Sequence, residues 1–151
     1  MIDADTAQPA RLLRTPSWLI NLTSTHSHRL VSEGFAAAGA RGYHYRLLAA
    51  LDEYGPASQA ALGRHTGIDR SDVVAALNEL AAKDLIERSP DPADRRRNII
   101  TITAAGSRHL EQLDRVLASV QDELLAPLSA PERTRLVELL TRVVEHHGRS
   151  R

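Results

Sequence analysis

The stretch that decides the fold is SQAALGRHTGIDRSDVVAALNELAAKDLI, which runs from Ser58 to Ile86. Its first part, as far as His65, has the composition of a short helix, and Thr66-Gly67 supplies a tight turn. A longer helix follows to about Lys83, because apolar residues recur at helical spacing from Val73 to Ala81. Two helices joined by so short a turn are typical of a helix-turn-helix.

The second helix of this pair begins with polar residues that the core does not require. Since its apolar face must lie on the core, Arg70, Ser71 and Asp72 remain free at the N-terminal turn. In the major groove of B-DNA, an arginine can donate two hydrogen bonds to guanine, and an aspartate can accept one from cytosine. We therefore predict that these three residues approach base edges, with orientation of Arg70 as the alternative role for Asp72. Gln59 and Arg64, on the preceding helix, are expected near phosphates, where they position the protein without recognising sequence.

The helix-turn-helix is followed directly by a β-hairpin with a long polar tip. Leu85–Arg88 and Asn98–Thr103 are short β-favouring segments, and the residues between them are rich in proline, aspartate and arginine. A hairpin in this position is a wing, and the narrow, strongly negative minor groove of DNA attracts an inserted arginine. Because side chains alternate along an extended strand, at most two of the three consecutive arginines face the groove, and we expect the aspartates of the tip to brace the rest. The residues predicted to bind DNA at the wing are Asp94, Arg95, Arg96 and Arg97.

The composition narrows the classes of function. The chain contains no cysteine, which excludes disulfides, thiolate nucleophiles and thiol-based redox sensing. No motif brings serine, histidine and acids together for catalysis, so we expect neither an enzyme nor a cofactor. No window has the ~18 consecutive apolar residues of a membrane span, and the N-terminus does not resemble a signal peptide, so a cytoplasmic protein is expected.

The charges of the chain balance, with 19 basic and 19 acidic residues, so any attraction to nucleic acid must be local. All the basic residues except Lys83 are arginines, and arginine is the side chain suited to bidentate contacts with phosphate and guanine. The zero net charge also leaves an alternative open, which is a winged-helix module that binds another protein and not DNA.

Helices are predicted on both sides of this core. Residues 1–15 show no apolar period and are expected to form a flexible arm, followed by helices over about 17–35 and 43–54. A long helix begins at Thr103, and its apolar residues recur in steps of three and four, which makes a narrow seam suited to another helix of this chain or of a second subunit. A capping box at Ser129–Glu132 opens a last helix whose apolar residues we expect inside the protein. These residues are Leu136, Leu139, Leu140, Val143 and Val144.

The run from Ala57 to Gly106 strongly resembles the winged-helix core of the MarR family of bacterial transcription regulators. Its most specific parts are the wing motif D-P-A-D-R-R at Asp91–Arg96 and the T-x-x-G motif at Thr103–Gly106. The resemblance implies a homodimer held by the first and last two helices, with two wings on a pseudo-palindromic operator. It also implies repression that is relieved by a small, often aromatic or phenolic, ligand. In that family the arginine matching Arg96 typically reaches the minor groove, and the acid matching Asp94 supports it.

The expected fold class is mainly α with a small β-hairpin wing, an α+β arrangement in which a winged helix-turn-helix carries N- and C-terminal dimerisation helices. One domain is expected over residues 16–151. Within it, residues 41–103 form the DNA-binding lobe, and residues 16–40 and 104–148 form the dimerisation helices. The expected function is sequence-specific binding of double-stranded DNA by a homodimeric repressor that a small molecule releases.

Ligand sites in dimers of this family lie between the dimerisation helices and the DNA-binding lobe. Aromatic rings and a few polar groups make the usual small-molecule pocket, and this chain carries such groups on its first two helices. The candidate ligand-binding residues are Trp18, His26, His44 and Tyr45.

Histidines on the same helices leave a zinc-responsive regulator as a further alternative. Zinc-sensing relatives place metal ligands there, and His26, His44 and His109 fall roughly at those positions. The His-x-x-x-His pair that such relatives carry on the fifth helix is broken, because Leu113 follows His109 by four residues. Three scattered histidines do not make a zinc motif, so no metal ligand is assigned.

Overall fold

The computed structural model describes residues 7–149 and confirms a mainly helical fold with a small antiparallel sheet. The helices of the described chain are a 3-10 helix at Leu12–Arg14, then α1 Pro16–Ala37, α2 Gly42–Tyr54, α3 Gln59–Thr66, α4 Arg70–Ala82, α5 Ala104–Leu124 and α6 Ala130–Gly148. The strands are β1 Ala57–Ser58, β2 Ile86–Pro90 and β3 Asn98–Ile102. The arm predicted for residues 1–15 lies partly outside the described residues, and its described part contains the 3-10 helix. The last two residues of the predicted domain also lie outside the described range. Within the described range, no helix combines the length and the apolar character that crossing a membrane requires.

The helix-turn-helix consists of α3 and α4. The hydroxyl oxygen of Ser58 caps α3 by accepting a hydrogen bond from the backbone N–H of Ala61 at 3.2 Å. The helix ends at Gly67, whose φ of 66° lies in the left-handed region that favours glycine. α4 starts after Asp69, which has the extended backbone of an N-cap, although its side chain accepts no capping hydrogen bond. The polar side chains of the first turn of α4 are therefore not engaged in closing the helix end.

The sheet has the strand order β1-β3-β2, and all its pairings are antiparallel. In the hairpin, Pro90 of β2 lies opposite Asn98 of β3, so residues 91–97 form the wing tip. β1 pairs with the other edge of β3, where Ala57 lies opposite Ile100. This strand was not predicted, because two residues are too few to show an alternating pattern. Ile100 is fully buried and packs the central strand onto the helices.

A tight junction joins the wing to α5. The hydroxyl of Thr103 donates to the carbonyl oxygen of Asp84 at 2.8 Å and accepts a hydrogen bond from the backbone N–H of Gly106 at 3.0 Å. A Cβ atom at position 106 would collide with the carbonyl oxygen of Leu85, so the close approach of the two segments requires glycine there. The T-x-x-G motif therefore holds the end of the wing against the start of α5.

Two apolar clusters form the core of the described chain. The smaller one contains Phe35, Ala40 and Leu113, and it joins α1, α2 and α5. The seam of α5 contacts α1 of the same chain, where Val120 lies against Gly34. The larger cluster fills the winged lobe, residues 42–102, and its largest fully buried side chains are Leu47, Leu48, Leu51, Leu62, Leu77, Leu80, Val73 and Ile100. The sequence left open whether the seam of α5 faces a helix of this chain or of a second subunit. In the structure it packs on α1 of the same chain.

α6 begins as predicted but does not lie where it was expected. Its capping box is confirmed, because Ser129 Oγ accepts from the backbone N–H of Glu132 at 3.3 Å, and Glu132 Oε1 accepts from the backbone N–H of Ser129 at 2.9 Å. The prediction that its apolar residues lie inside was wrong for the single chain, since no residue of α6 is buried. Helical spacing shows that a face is apolar, but it does not show which surface covers that face. Leu136 is half-buried, and the exposed residues of the predicted set are Leu139, Leu140, Val143 and Val144.

Candidate nucleic-acid interface

The wing tip, residues 91–97, is closed by its own hydrogen bonds. The backbone N–H of Asp91 donates to the carbonyl oxygen of Arg97 at 2.8 Å, across the base of the loop. The carboxylates of Asp91 and Asp94 each accept a hydrogen bond from the backbone N–H two residues further on, at 2.9 and 3.1 Å. These Asx turns stabilise the loop backbone. The two aspartates therefore shape the tip as well as placing negative charge beside the arginines.

The three arginines of the wing tip are held in different ways. The side chain of Arg96 is 92% exposed, and its Nε lies 3.1 Å from Oδ1 of Asp94, so it projects from the tip with the carboxylate behind it. Arg97 lies 3.7 Å from Asp91 and 4.0 Å from Asp94. Arg95 is exposed and forms no hydrogen bond or ion pair with the described part of the chain. Hydrogen bonds from the side chain and the backbone of Arg96 hold the pKa of Asp94 below its ordinary value, so this brace stays ionised.

A groove of about 690 Å³ lies between the helix-turn-helix and the wing. Gln59 and Arg64 of α3, Arg70 of α4, and Arg96 and Arg97 of the wing are among the residues that line it. Buried apolar residues of α4 and of the turn before it form its floor. Five of the nine side chains predicted to contact DNA therefore meet on one surface, although they belong to three separate elements of the chain.

The two other predicted residues of α4 lie outside this groove. Ser71 is exposed, whereas Asp72 is half-buried. Positions seven residues apart share a helix face, so Asp72 lies on the same side of α4 as Glu79, which contacts α2. The structure therefore places Ser71 toward solvent and Asp72 toward the rest of the lobe.

A polar cluster that the sequence did not predict holds α4 against α2. Glu79 accepts two hydrogen bonds from the guanidinium of Arg41, at 2.8 and 3.1 Å, and its Oε2 lies 2.6 Å from Nε2 of His44. His44 is 4% exposed, and its Nδ1 accepts a hydrogen bond from the backbone N–H of Arg41 at 3.1 Å. Nε2 therefore carries the ring hydrogen and donates it to the carboxylate. No local pattern indicates this cluster, because Arg41 and Glu79 lie 38 residues apart.

The surroundings of this cluster favour a neutral His44 beside an ionised Glu79. Burial lowers the pKa of His44, and it outweighs the hydrogen bond and the charge of Glu79, which act to raise that pKa. The nearby positive charges of Arg41 and Lys83 lower the pKa of His44 further. For Glu79, burial acts to raise the pKa, but the hydrogen bond from His44 and the charge of Arg41 lower it by more. At neutral pH the two helices are thus joined by a neutral donor and a charged acceptor.

Two further contacts attach α4 to its neighbours. Nζ of Lys83, just after the C-terminus of α4, donates to the carbonyl oxygen of Gly39 at 2.6 Å, in the loop between α1 and α2. The guanidinium of Arg88, on β2, donates to Oδ1 of Asn78 at 2.7 Å. The position of α4 therefore depends on both the α1–α2 loop and the first strand of the wing.

The structure places the aromatic members of the predicted ligand site in different surroundings. Nε1 of Trp18 donates to Oε1 of Gln8 at 2.5 Å, near the start of α1. Tyr45 stacks on Phe35 with ring centroids 5.5 Å apart and donates its hydroxyl hydrogen to Asp114 at 2.7 Å. That hydrogen bond, together with burial, raises the pKa of Tyr45 to about 12. Tyr45 therefore connects α2 to α5 as a neutral phenol.

The three histidines considered as metal ligands also lie apart. His26 is exposed on α1, His109 is half-buried on α5, and His44 has both ring nitrogens hydrogen-bonded to protein groups. Among residues 7–149, no three histidine, aspartate or glutamate side chains are grouped so that they could hold a metal ion. Within the described range, the structure provides no donor set for the zinc-responsive alternative.

Comparison with known proteins places this architecture among transcription regulators. A sequence model described as the MarR family matches residues 39–97. The HTH-type transcriptional repressor NicR of Pseudomonas putida is 32% identical over 98 residues, which are 65% of this chain and 62% of NicR, so the match spans less than two thirds of that relative.

Two solved structures extend the likeness over nearly the whole chain. A probable transcriptional regulator from Pseudomonas aeruginosa is 30% identical, with a TM-score of 0.76 over 87% of this chain and 98% of that one. The PcaV transcriptional regulator of Streptomyces coelicolor, solved in complex with its natural ligand, is 25% identical, with a TM-score of 0.71 over 93% of this chain and 97% of PcaV. Together with the wing and the helix-turn-helix, these matches show that the chain belongs to the MarR family of transcriptional regulators.

Proposed function

We propose that this protein binds double-stranded DNA in a sequence-specific manner and so represses transcription. The observation that carries the proposal is the placement of Arg64, Arg70, Arg96 and Arg97 around one groove, in a chain whose total charge is zero. A helix fits the major groove of DNA, and an exposed arginine at a hairpin tip fits the narrower, more negative minor groove. α4 and the wing lie side by side and offer both elements to one stretch of duplex.

We also propose that two copies of the chain act together, and the surface of α6 supports this. Its exposed apolar residues include Val143 at 50% and Val144 at 70%, and Leu19 and Ile20 of α1 are 41% and 48% exposed. Single exposed apolar residues are ordinary, but a row of them along one helix is typical of an interaction surface. A second copy related by two-fold symmetry brings the same surface to the contact. The two copies of α4 in such a dimer enter successive major grooves when they stand about 34 Å apart.

We propose that a small aromatic or phenolic molecule binds at Trp18, His26 or Tyr45 and causes the protein to dissociate from DNA. The protein is proposed to act in the cytoplasm. Two of the related proteins support this proposal, since PcaV was solved with its natural ligand and NicR is a repressor by name. The fourth candidate, His44, already bonds protein groups through both ring nitrogens. We therefore assign His44 to holding α4 in place.

The decisive experiment compares DNA binding by the parent chain and by Arg96→Ala. Duplexes are selected in vitro from random sequence, and affinity is measured by fluorescence anisotropy over a series of salt concentrations. Loss of the exposed guanidinium is expected to weaken binding by about 1–3 kcal/mol, which is roughly 5- to 150-fold. If the four arginines of each chain in a dimer together neutralise about eight phosphate charges, the logarithm of affinity should fall against the logarithm of salt concentration with a slope of about −7.

Arg115→Ala is the matched control, because this arginine is exposed on α5, away from the groove. Its affinity for DNA is expected to equal that of the parent. Equal affinity in Arg96→Ala would contradict the assignment of the wing, and failure of the parent to bind any duplex would contradict DNA binding itself.

A further inference from the structure

Most of the large apolar side chains that the described residues expose lie where a second subunit is proposed to pack. They belong to α1 and α6. The winged lobe, residues 42–102, exposes only Tyr54 and Val74 among its described side chains of this kind. The ring of Tyr54 stacks on His65 with centroids 4.2 Å apart, whereas Val74 stands 36% exposed on α4. Val74 is not part of the core, and it does not belong to the proposed dimer surface. Its exposure therefore needs another explanation.

Val74 lies in the middle of the outward face of α4. Ser71, Val74, Ala75 and Asn78 occupy positions i, i+3, i+4 and i+7, and all four are exposed. The opposite face of the helix packs into the core, where Leu77 is fully buried. Ser71 and Ala75 beside Val74 are small, so this part of the helix backbone can approach another surface closely, whereas Asn78 at the end of the face holds the guanidinium of Arg88.

The chemistry of this face matches one feature of the major groove. Thymine is distinguished there by its 5-methyl group, which apolar side chains contact. Valine is well suited to such a contact, because a β-branched side chain in a helix keeps one preferred χ1 rotamer and its methyl groups are already in position. Arg70 lies one helical turn before Val74, on an adjoining part of the same surface, and arginine is suited to guanine.

We propose that Val74 is a specificity-determining residue that packs against the 5-methyl group of a thymine in the major groove, next to the base pair that Arg70 contacts. The inference rests on the proposed function, because it requires α4 to enter the major groove. It adds that the operator carries a thymine at a fixed position in each half-site, and that an apolar contact recognises this base.

The test removes a single methyl group from the DNA. In a duplex selected by the full chain, each thymine is replaced in turn by deoxyuridine, which lacks only the 5-methyl group. One replacement in a half-site is expected to weaken binding by the parent about fourfold, the scale of one buried methyl group. The same replacement should have a smaller effect on binding by Val74→Ala, whose single remaining methyl group ends closer to the helix and further from the base. Val74→Ile keeps an apolar β-branched side chain and is expected to retain the sensitivity.

The possible failures of this experiment are distinguishable. If no replacement affects the parent, or if Val74→Ala is as sensitive as the parent, the role of Val74 is overturned while DNA binding stands. If the parent enriches no duplex, the proposed function fails instead. Thermal unfolding checks that both variants fold, and small changes are expected because the side chain is partly exposed and does not belong to the core.

Discussion

Replacement of Glu79 by alanine is expected to destabilise the protein, although the side chain of this glutamate is 43% exposed. The loss comes from His44, whose side chain is 5% exposed and whose Nε2–H would be left without an acceptor. An unsatisfied buried donor costs about 1–3 kcal/mol. The ion pair with Arg41 adds less, because solvent screens a pair this exposed and limits it to about 0–1 kcal/mol. The free energy of unfolding of Glu79→Ala should therefore fall by about 2 kcal/mol.

Glu79→Gln separates the two contributions. Its amide oxygen can still accept the hydrogen bond from His44, so the expected loss is smaller, about 0.5–1 kcal/mol. Glu33→Ala is the matched control, since it removes a carboxylate from an exposed ion pair with Arg29 and leaves no buried group unpaired. Urea unfolding at one protein concentration measures all three variants. Should Glu79→Ala lose no more stability than Glu33→Ala, the account of His44 as a buried donor held by Glu79 is wrong.

Two further outcomes are expected. The stability of the parent should decrease as the pH falls below 6.5. The pKa of His44 in the folded chain is lower than its ordinary value of 6.5, so the unfolded chain binds a proton at this residue more readily than the folded chain does. Urea unfolding between about pH 8 and pH 5 measures this decrease, which should be smaller in His44→Gln, where nothing titrates at this position. Leu140→Asp, on the exposed apolar face of α6, should convert the proposed dimer into monomers, as light scattering would detect. A parent protein that is monomeric at the same concentration would contradict the proposed role of α6.

The helix-turn-helix and the wing were predictable because their signals are local. The turn at Thr66-Gly67 and the apolar spacing of α4 each extend over a few consecutive residues, as do the β-favouring segments around residues 91–97. The capping box at Ser129–Glu132 is equally local, since its two reciprocal hydrogen bonds join residues three positions apart. Signals of this kind place Arg70 at a helix start and Arg96 at a hairpin tip without any knowledge of the rest of the fold.

The features that the sequence did not predict depend on distant positions. Arg41, His44 and Glu79 form one cluster, but no periodicity relates a helix start to a carboxylate on another helix 35 residues away. A histidine on an amphipathic helix shows the same pattern whether it lines a ligand pocket or pairs with a carboxylate of another helix. α6 shows a different limit, because its spacing identifies an apolar face while the path of the chain decides whether that face is covered. No residue of α6 is buried in this fold, so its apolar face lies exposed on the single chain. The apolar spacing that predicted an interior helix therefore supports the proposal that a second subunit covers this face.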